Sequence, residues 1–458
     1  MRAFARQMIE RMKAVAAAGA VAAFWLAVWV FVAALVAQPL ILPGPGAVVV
    51  ALLRLVCDAG TWAILAGSGA RILGGLALAA VCGGLLAGIS SRSRAFARLV
   101  APALSFVKAT PVACVVVLLL IWLGSARVSI AAVFLMALPG VYFSLVEGLT
   151  QADKPLEQMF RLHGVQGWRL FCAHTWREVL PFVLSCARAV IGMSWKAGVA
   201  AELIGMAVGT VGERIYQAKL LIETADLLAW TVLVVAASWA CERVLVWLLR
   251  VSGPVAWRAA VRAHGHGLRG RAGAASDGAA AELVLAVGDR APWAPALDGL
   301  VLNVPAGGRI CVMGASGMGK STLLSLAAGE CAPCSMVFQD VRLVEDVSAL
   351  DNVLVCADAR VDASSAAALL RLLVPGVDVH ARVAELSGGQ RRRVEIARTL
   401  LCPGDAVILD EPFTGLDTAA HDACAEVVLD LLDGRMLLLA THDAVDAQAL
   451  NISDIITL

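Results

Sequence analysis

The sequence predicts an α-helical transmembrane part of six helices, followed by an α/β domain built around a phosphate-binding loop (P-loop). Three observations predict this fold class. The 458 residues are 60% hydrophobic and only 16% charged, and the mean hydropathy of +0.81 lies far above that of soluble globular proteins. Long apolar runs dominate before about residue 250. After about residue 280 acids, bases and turn residues recur regularly, and a glycine-rich motif there ends in Lys320-Ser321.

Charge and cysteine usage exclude two classes of protein. The net charge is +1, so no polyanion-binding surface is indicated and we expect no nucleic-acid partner. The 12 cysteines are scattered singly through both parts, which is typical of reduced thiols and not of a disulfide framework.

The membrane part follows from the length of the apolar segments. A helix that rises 1.5 Å per residue needs about 20 apolar residues to cross a hydrocarbon core of roughly 30 Å, because unpaired backbone amides are costly in lipid. Six segments qualify: 15–37, 62–89, 99–123, 128–149, 182–205 and 227–249. The first is longer than the core of a signal peptide, so we interpret it as a retained helix; a cleaved signal is the alternative.

Basic residues predict the orientation in the membrane. They cluster in the N-terminal tail, near residues 92–98, in the loop of residues 154–177, and after Arg250. Clusters of this kind mark the cytoplasmic side. With an even number of spans, we expect a multi-pass protein of the cell inner (plasma) membrane, whose termini and α/β domain are cytoplasmic and whose helices contact the lipid bilayer.

The loop between the fourth and fifth segments is long and organised. From Lys154 to Leu162 it indicates a short amphipathic helix that ends at Gly164. The loop resembles importer permeases of the ATP-binding-cassette superfamily, in which a Glu-Ala-Ala-x-x-x-Gly loop forms a coupling helix seated on the ATPase. Here Gln158-Met-Phe160 stands in place of the triplet, with Glu157 one residue early, and Gly164 supplies the glycine. Arg177 stands at a position where a proline is expected, whereas Pro181 supplies the next expected proline.

Two further segments are similar to nitrate-, sulfonate- and taurine-type permeases: Leu42-Pro-Gly-Pro-Gly-Ala-Val and Ala201-Glu-Leu-Ile-Gly205. Glu202 is an ionisable group at the end of a membrane helix, where hydrocarbon exposure is costly. It is expected either to line the translocation path or to mark the outer edge of the membrane.

Domain boundaries follow from composition. We predict a permease domain over residues 1–255, a flexible linker over 256–281, and an ATP-binding domain over 282–458. The linker is rich in Gly, Ala, Arg and His and lacks the apolar content to fold alone. Its His264 and His266 are interpreted as part of a solvated tether, with weak metal binding as the alternative.

The α/β domain contains a complete P-loop, Gly314-Ala-Ser316-Gly317-Met-Gly319-Lys320-Ser321-Thr322. A strand precedes it and a helix follows, so backbone amides and the helix N-terminus can surround phosphates. We expect Lys320 to contact the outer phosphates of ATP and the Ser321 hydroxyl to bind Mg²⁺. The residues predicted to bind nucleotide here are Gly314, Ser316, Gly317, Gly319, Lys320, Ser321 and Thr322.

Two motifs further along identify this domain as a member of the ATP-binding-cassette ATPase family. They are Leu386-Ser387-Gly388-Gly389-Gln390 and Ala406-Val-Ile-Leu-Asp410-Glu411-Pro412. A carboxylate that ends a buried strand suits Mg²⁺, and its neighbour can polarise a water. The resemblance assigns Asp410 to the metal and Glu411 to the general base.

The resemblance implies further roles. Ser387, Gly388, Gly389 and Gln390 contact ATP held by the opposite subunit, and Gly415-Leu416-Asp417 is the segment that touches that subunit. His442 is the γ-phosphate switch, and Gln339 contacts Mg²⁺ and water, although the segment between Lys320 and Gln339 is shorter than in the family. Trp293 is expected to stack on adenine; the alternative is a tryptophan buried against the sheet. Cys331 and Cys334 lie in the shortened segment between Lys320 and Gln339, and this pair is not expected to bind a metal by itself.

The predicted function is ATP-driven uptake of a small solute, with ATP and Mg²⁺ as cofactors. The expected solute is a small anion such as a sulfonate, taurine or nitrate, or a vitamin precursor. Expected partners are a second copy of the chain or an equivalent half, and a periplasmic or lipid-anchored solute-binding protein. Two alternatives are an exporter half, which the short cytoplasmic loops disfavour, and a degenerate or regulatory membrane ATPase.

Overall fold

The computed structural model describes residues 2–263, 282–287, 294–331 and 334–458. These residues form two compact units. The first unit comprises Met1–Gln151 and Val179–Arg250, and the second comprises Ala152–Glu178 and Val251–Leu458. The segment after the fourth predicted span therefore belongs to the same unit as the P-loop. Trp293, His264, His266 and most of the predicted linker lie outside the described residues.

The helices up to residue 262 include the six predicted apolar segments and add shorter helices between them. They are α1 (Arg2–Val36), α2 (Pro45–Cys57), α3 (Ala59–Arg92), α4 (Arg94–Ala109), α5 (Val112–Leu123), α6 (Ser125–Gln151), α7 (Lys154–Leu162), α8 (Gly167–Leu170), α9 (Trp176–Gly205), α10 (Val211–Leu220) and α11 (Thr224–Arg262). A π-helical turn, Phe171–Thr175, joins α8 to α9. Because α11 continues to Arg262, the first residues of the predicted linker are helical.

Among the described residues, five helices are long and apolar enough to cross a membrane, and a sixth span results if α4 and α5 are counted together. The helical membrane fold is thus confirmed. The third predicted segment, however, is bent by 102° between α4 and α5. Pro111 lacks an N–H group and forces Thr110 into an extended conformation (φ −77°, ψ 128°), which ends the helix.

Small residues set the packing of the first unit. A Cβ atom at Gly75 of α3 would lie 2.5 Å from the Ile130 carbonyl oxygen of α6, so only glycine permits this approach. One turn of the same interface is polar, where the buried hydroxyls of Ser90 and Tyr142 lie 2.9 Å apart. Close backbone approach and paired polar groups are the usual means of helix association in membranes.

Glu202 is fully buried inside the first unit. Its carboxylate accepts a hydrogen bond from the Ser68 hydroxyl (2.8 Å) and one from Arg71 Nε (3.2 Å). Gly212 packs against it so closely that a Cβ atom there would lie 2.5 Å from Glu202 Cβ. Glu202 therefore ties α3 to α9 through buried polar contacts.

The second unit is built on a five-stranded parallel sheet. Its strands are β3 (Arg309–Met313), β4 (Ser335–Val337), β5 (Ala406–Asp410), β6 (Met436–Thr441) and β7 (Asp454–Thr457), in the order β4-β5-β6-β3-β7. Strands β1 (Leu283–Ala286) and β2 (Val301–Val304) precede these strands in sequence and form a separate antiparallel pair. Strands β5 and β6 are buried along their whole length, as central strands of a parallel sheet require. This confirms the predicted α/β fold.

Helices cover this sheet: α12 (Lys320–Glu330), α13 (Ala349–Leu354), α14 (Ala363–Leu373), α15 (Gly388–Leu401), α16 (Thr418–Leu431) and α17 (Ala444–Ala449). The carboxyl ends of β3, β5 and β6 meet at one edge of the sheet, where open α/β sheets place their ligand sites. The P-loop, Asp410 with Glu411, and His442 follow these three strands.

Candidate functional site

The P-loop turns from β3 into α12. Gly317 and Gly319 have positive φ angles of 86° and 96°, which side-chain-bearing residues adopt only with strain. Gly319 also lies against Leu297, whose Cγ would be 3.2 Å from an added Cβ atom. Lys320 Nζ donates hydrogen bonds to the carbonyl oxygens of Gly314 (2.7 Å) and Ala315 (3.1 Å). The P-loop carbonyl groups therefore hold the Lys320 ammonium group within the turn.

A polar cavity of about 210 Å³ opens above this loop. Most of the predicted phosphate contacts line it together with Gln339 and Glu411, the full lining being Ser316, Gly317, Gly319, Lys320, Ser321, Thr322, Gln339 and Glu411. The cavity combines one ammonium group, three hydroxyls and the N-terminus of α12. This is a set suited to phosphate groups.

Asp410 ends β5 and is buried. Burial raises the pKa of its carboxyl group, although a hydrogen bond with the Ser321 side chain opposes this shift. A bound cation would stabilise the charged form of this desolvated carboxylate. Ser321, Gln339 and Asp410 offer hydroxyl, amide and carboxylate oxygens, which are the ligands that Mg²⁺ prefers. The donor set therefore fits the predicted metal.

Glu411 has a positive φ of 46°, an uncommon conformation for glutamate that is often found at functional sites. Its backbone N–H donates to the Ala440 carbonyl oxygen (2.9 Å) on β6, and this bond holds the turn. His442 Nδ1 lies 3.4 Å from Glu411 Oε1, and the His442 side chain is 65% exposed. The imidazole is thus next to the predicted base and open to a ligand.

The signature residues are not among those lining the cavity. Ser387 caps the N-terminus of α15 in a capping box: its hydroxyl accepts from the Gln390 N–H (3.3 Å), and Gln390 Oε1 accepts from the Ser387 N–H (2.9 Å). A Cβ atom at Gly389 would lie 3.4 Å from the Gly415 carbonyl oxygen. Asp417 caps α16 by accepting from the Ala420 N–H (2.8 Å). Gly388 begins α15 beside Ser387.

An ion network on α15, which sequence reasoning missed, supports Gln339. Glu395 is fully buried and lies 2.9 Å from Arg392 and 3.4 Å from Arg398. Burial raises the pKa of the Glu395 carboxyl group, although both arginines favour its charged form. Arg392 donates hydrogen bonds of 2.5 Å to the carbonyl oxygens of Phe338 and Gln339. The i, i+3 spacing of Arg392, Glu395 and Arg398 along α15 is the signal that could have found the network.

Helix α7 packs against the sheet of the second unit. Leu156, Met159 and Phe160 are its buried side chains, and Gly164, with φ of 77°, ends the helix as predicted. The Cys334 N–H donates to the Leu162 carbonyl oxygen (3.0 Å). The loop of residues 152–178 is therefore part of the unit that carries the nucleotide cavity.

Arg342, three residues after Gln339, bonds to α7. Its Nη1 donates to the Pro155 carbonyl oxygen (3.1 Å) and to Gln158 Oε1 (3.4 Å). Gln158 stands where the resembled family has an acid, and an amide oxygen can still accept these bonds. Arg177, in place of an expected proline, forms an ion pair with Asp346. Polar contacts thus join both ends of the segment to the region that follows Gln339.

Comparisons with known proteins agree with this arrangement. Residues 80–255 match the family described as "Binding-protein-dependent transport system inner membrane component", and residues 332–414 match the family described as "ABC transporter". An aliphatic sulfonates import ATP-binding protein of Paracoccus denitrificans is 34% identical over 176 residues, which are 35% of this chain and 71% of the relative.

Two other relatives differ in the solute they are named for. A thiamine import ATP-binding protein of Jannaschia sp. is 34% identical over 178 residues, covering 32% of this chain and 77% of the relative. A taurine import ATP-binding protein of Chromobacterium violaceum is 37% identical over 182 residues, covering 33% and 68%.

Proposed function

Because the chain belongs to the ATP-binding cassette (ABC) transporter family, we propose that it is one half of an importer that takes up a small solute across the cell inner membrane. ATP hydrolysis coupled to transport is the activity of this family. The observation that carries the proposal is the bond from Arg342 to Gln158, because it links the Gln339 segment of the cavity to the loop that joins two predicted spans. A permease and its ATPase need such a link to act together.

The catalytic roles follow from the cavity. Lys320, the P-loop amides and the N-terminus of α12 bind the phosphates of ATP. Glu411 accepts a proton from the attacking water through its carboxylate, and His442, next to it, contacts the γ-phosphate. Ser321, Gln339 and Asp410 hold Mg²⁺, which when bound offsets the negative charge of the phosphates. We place Trp293 against adenine on the resemblance alone.

A second copy of the chain, or an equivalent half, completes the site. Ser387, Gly388, Gly389 and Gln390 present a helix N-terminus but are not in the lining of their own chain's cavity, so they are available to a nucleotide bound by the partner. Asp417 begins a helix beside that surface. ATP drives the cycle because it binds the closed pair more tightly than the open one, and a ligand with equal affinity for both would shift nothing.

The transport path is assigned to residues 1–255, with 256–281 as the connection to an ATP-binding domain over 282–458. Both termini face the cytoplasm, on the evidence of the basic clusters, and a periplasmic or lipid-anchored binding protein delivers the solute. The relatives named for sulfonates and taurine support a small organic anion, and the relative named for thiamine supports a vitamin precursor.

Reconstitution in proteoliposomes tests the proposal. ATP hydrolysis and solute accumulation should both rise when a solute-loaded binding protein is supplied outside. Thermal-shift screening of a candidate binding protein identifies the solute. Transport that needs no binding protein, or that moves solute away from the ATP side, would assign the chain to the exporters instead.

A further inference from the structure

Three potential metal ligands meet inside the second unit, away from the nucleotide cavity. His163 follows α7, Cys356 follows α13, and Cys402 follows α15. One ligand atom from each lies within 4.8 Å of the others, and all three residues are buried. Both cysteines are free thiols. None of the three lines the cavity above the P-loop, so ATP hydrolysis gives them no role.

We propose that His163, Cys356 and Cys402 form a binding site for a soft metal ion, and that Cu(I) is the ion it prefers. Two sulfur atoms and an imidazole nitrogen are a soft ligand set, which selects Cu(I) or Zn²⁺ over Mg²⁺ and Ca²⁺. Three ligands suit the low coordination numbers of Cu(I). A fourth soft atom is near, because the Met159 thioether sulfur lies 3.2 Å from His163 Nδ1.

Contacts at both ring nitrogens fix the position of the His163 imidazole. Its Nε2 lies 3.2 Å from the Met336 carbonyl oxygen. The Met336 N–H donates to the same Nε2 atom (3.1 Å), so Nε2 accepts and Nδ1 carries the proton, with the Met159 sulfur beside it. Metal-binding histidines are usually oriented by a contact at the ring nitrogen that does not bind the metal, and His163 has a contact at each ring nitrogen.

The charge balance favours a monovalent ion. Arg169 is buried, donates one hydrogen bond to the Val355 carbonyl oxygen (2.9 Å), and has an Nε atom without a partner in the described part of the chain. It interacts electrostatically with both thiols, as Arg398 does, and Arg435 interacts with Cys402. Two thiolates with Cu(I) carry one negative charge, which these guanidinium groups stabilise, whereas two thiolates with Zn²⁺ are neutral and give the guanidinium groups no charge to pair with. Each thiol releases its proton to solvent on binding, and no electron is transferred.

A metal ion bound to His163, Cys356 and Cys402 would connect the end of α7 to the ends of α13 and α15. His163 belongs to the segment that contacts β4, and Cys402 lies at the end of α15, which also carries the signature residues at its start. A metal bridge here restrains α7 independently of nucleotide.

A competition titration tests the site. The full-length chain in lipid nanodiscs, reduced and without oxygen, is titrated with Cu(I) against a coloured Cu(I) chelator. The exposed Cys57 and Cys114 are replaced by serine in every version to remove surface thiols. We expect one tightly bound Cu(I) per chain. Cys356→Ser and Cys402→Ser should each weaken binding about 100-fold or more, whereas Cys424→Ser, which removes a buried thiol outside the cluster, should leave the affinity unchanged.

X-ray absorption at the copper edge of the chain with all three ligands intact should show two sulfur neighbours and a nitrogen, and this measurement does not depend on the folding of any variant. ATP binding without metal checks that each variant is folded. Equal Cu(I) affinity in the Cys356, Cys402 and Cys424 variants would overturn the site. Tighter binding of Zn²⁺ than of Cu(I) would overturn the assignment to a monovalent ion.

Discussion

Replacing Glu395 by alanine should destabilise the second unit more than any exposed glutamate substitution. Glu395 is fully buried between Arg392 and Arg398, whose side chains are only 6% and 1% exposed. The substitution leaves two buried guanidinium groups without their carboxylate, and the Arg342 N–H without its acceptor (3.1 Å). Removing one partner of a buried ion pair costs about 3–5 kcal/mol.

The expected change in melting temperature follows from this free energy. For a unit of this size each kcal/mol lowers the melting temperature by about 2–4 °C, so Glu395→Ala should lower it by about 6–20 °C. Apparent melting temperatures are measured by intrinsic fluorescence on nanodisc-embedded protein at a single scan rate, because unfolding of such a protein is irreversible. Glu395→Gln, which keeps an acceptor but not the charge, should lie between Glu395→Ala and the unaltered chain.

Glu426→Ala on α16 is the matched control, because Glu426 is exposed and surface substitutions usually change stability by less than about 0.5 kcal/mol. If Glu395→Ala melts within about 2 °C of this control, the network does not stabilise the fold. The argument that it holds Gln339 in place would then fail as well.

Three further outcomes are expected. Glu411→Gln should lower phosphate release about 10²–10⁴-fold while radiolabelled ATP still binds; hydrolysis at the parental rate would contradict its role as the base. Arg342→Ala should reduce the stimulation of ATP hydrolysis by a loaded binding protein about fivefold or more, compared with the exposed Arg371→Ala; equal stimulation would remove α7 as the link. Burial opposes protonation of His421, but the hydrogen bonds that its imidazole donates to the Asp422 and Asp446 carboxylates outweigh burial and raise its pKa. The stability that protonated His421 contributes is complete below its pKa in the unfolded chain and is lost as the pH rises through its pKa in the folded chain. The melting temperature should therefore fall from pH 6 to pH 8, and His421→Asn should make this fall smaller.

Local patterns account for the parts of the structure that the sequence predicts correctly. The P-loop, the strand ending at Asp410 and the helix ended by Gly164 are each encoded by residues adjacent in sequence. Their meeting at one edge of the sheet follows from parallel-strand topology. These features could be found because the chemistry and the backbone signal coincide.

Other features depend on contacts between distant residues. The pairing of Glu202 with Arg71 joins positions 131 residues apart, and nothing near Glu202 indicates it. The bend at Pro111 interrupts an apolar run whose length alone predicts one straight helix. Similarly, Arg342 has no local signal for its bond to Gln158, because its partner lies in the segment before the P-loop domain.

The central claim is that each nucleotide site is completed by a second copy of the chain, and a complementation measurement tests it most directly. Lys320→Ala removes the phosphate contact of its own chain, and Ser387→Arg blocks the signature surface offered to the partner. Each variant alone should hydrolyse almost no ATP in lipid nanodiscs. In a mixed pair, the P-loop of the Ser387→Arg chain faces the signature surface of the Lys320→Ala chain, and both are unaltered. The account predicts that co-expression of the two variants restores ATP hydrolysis, and mixed pairs as inactive as either variant alone would contradict it.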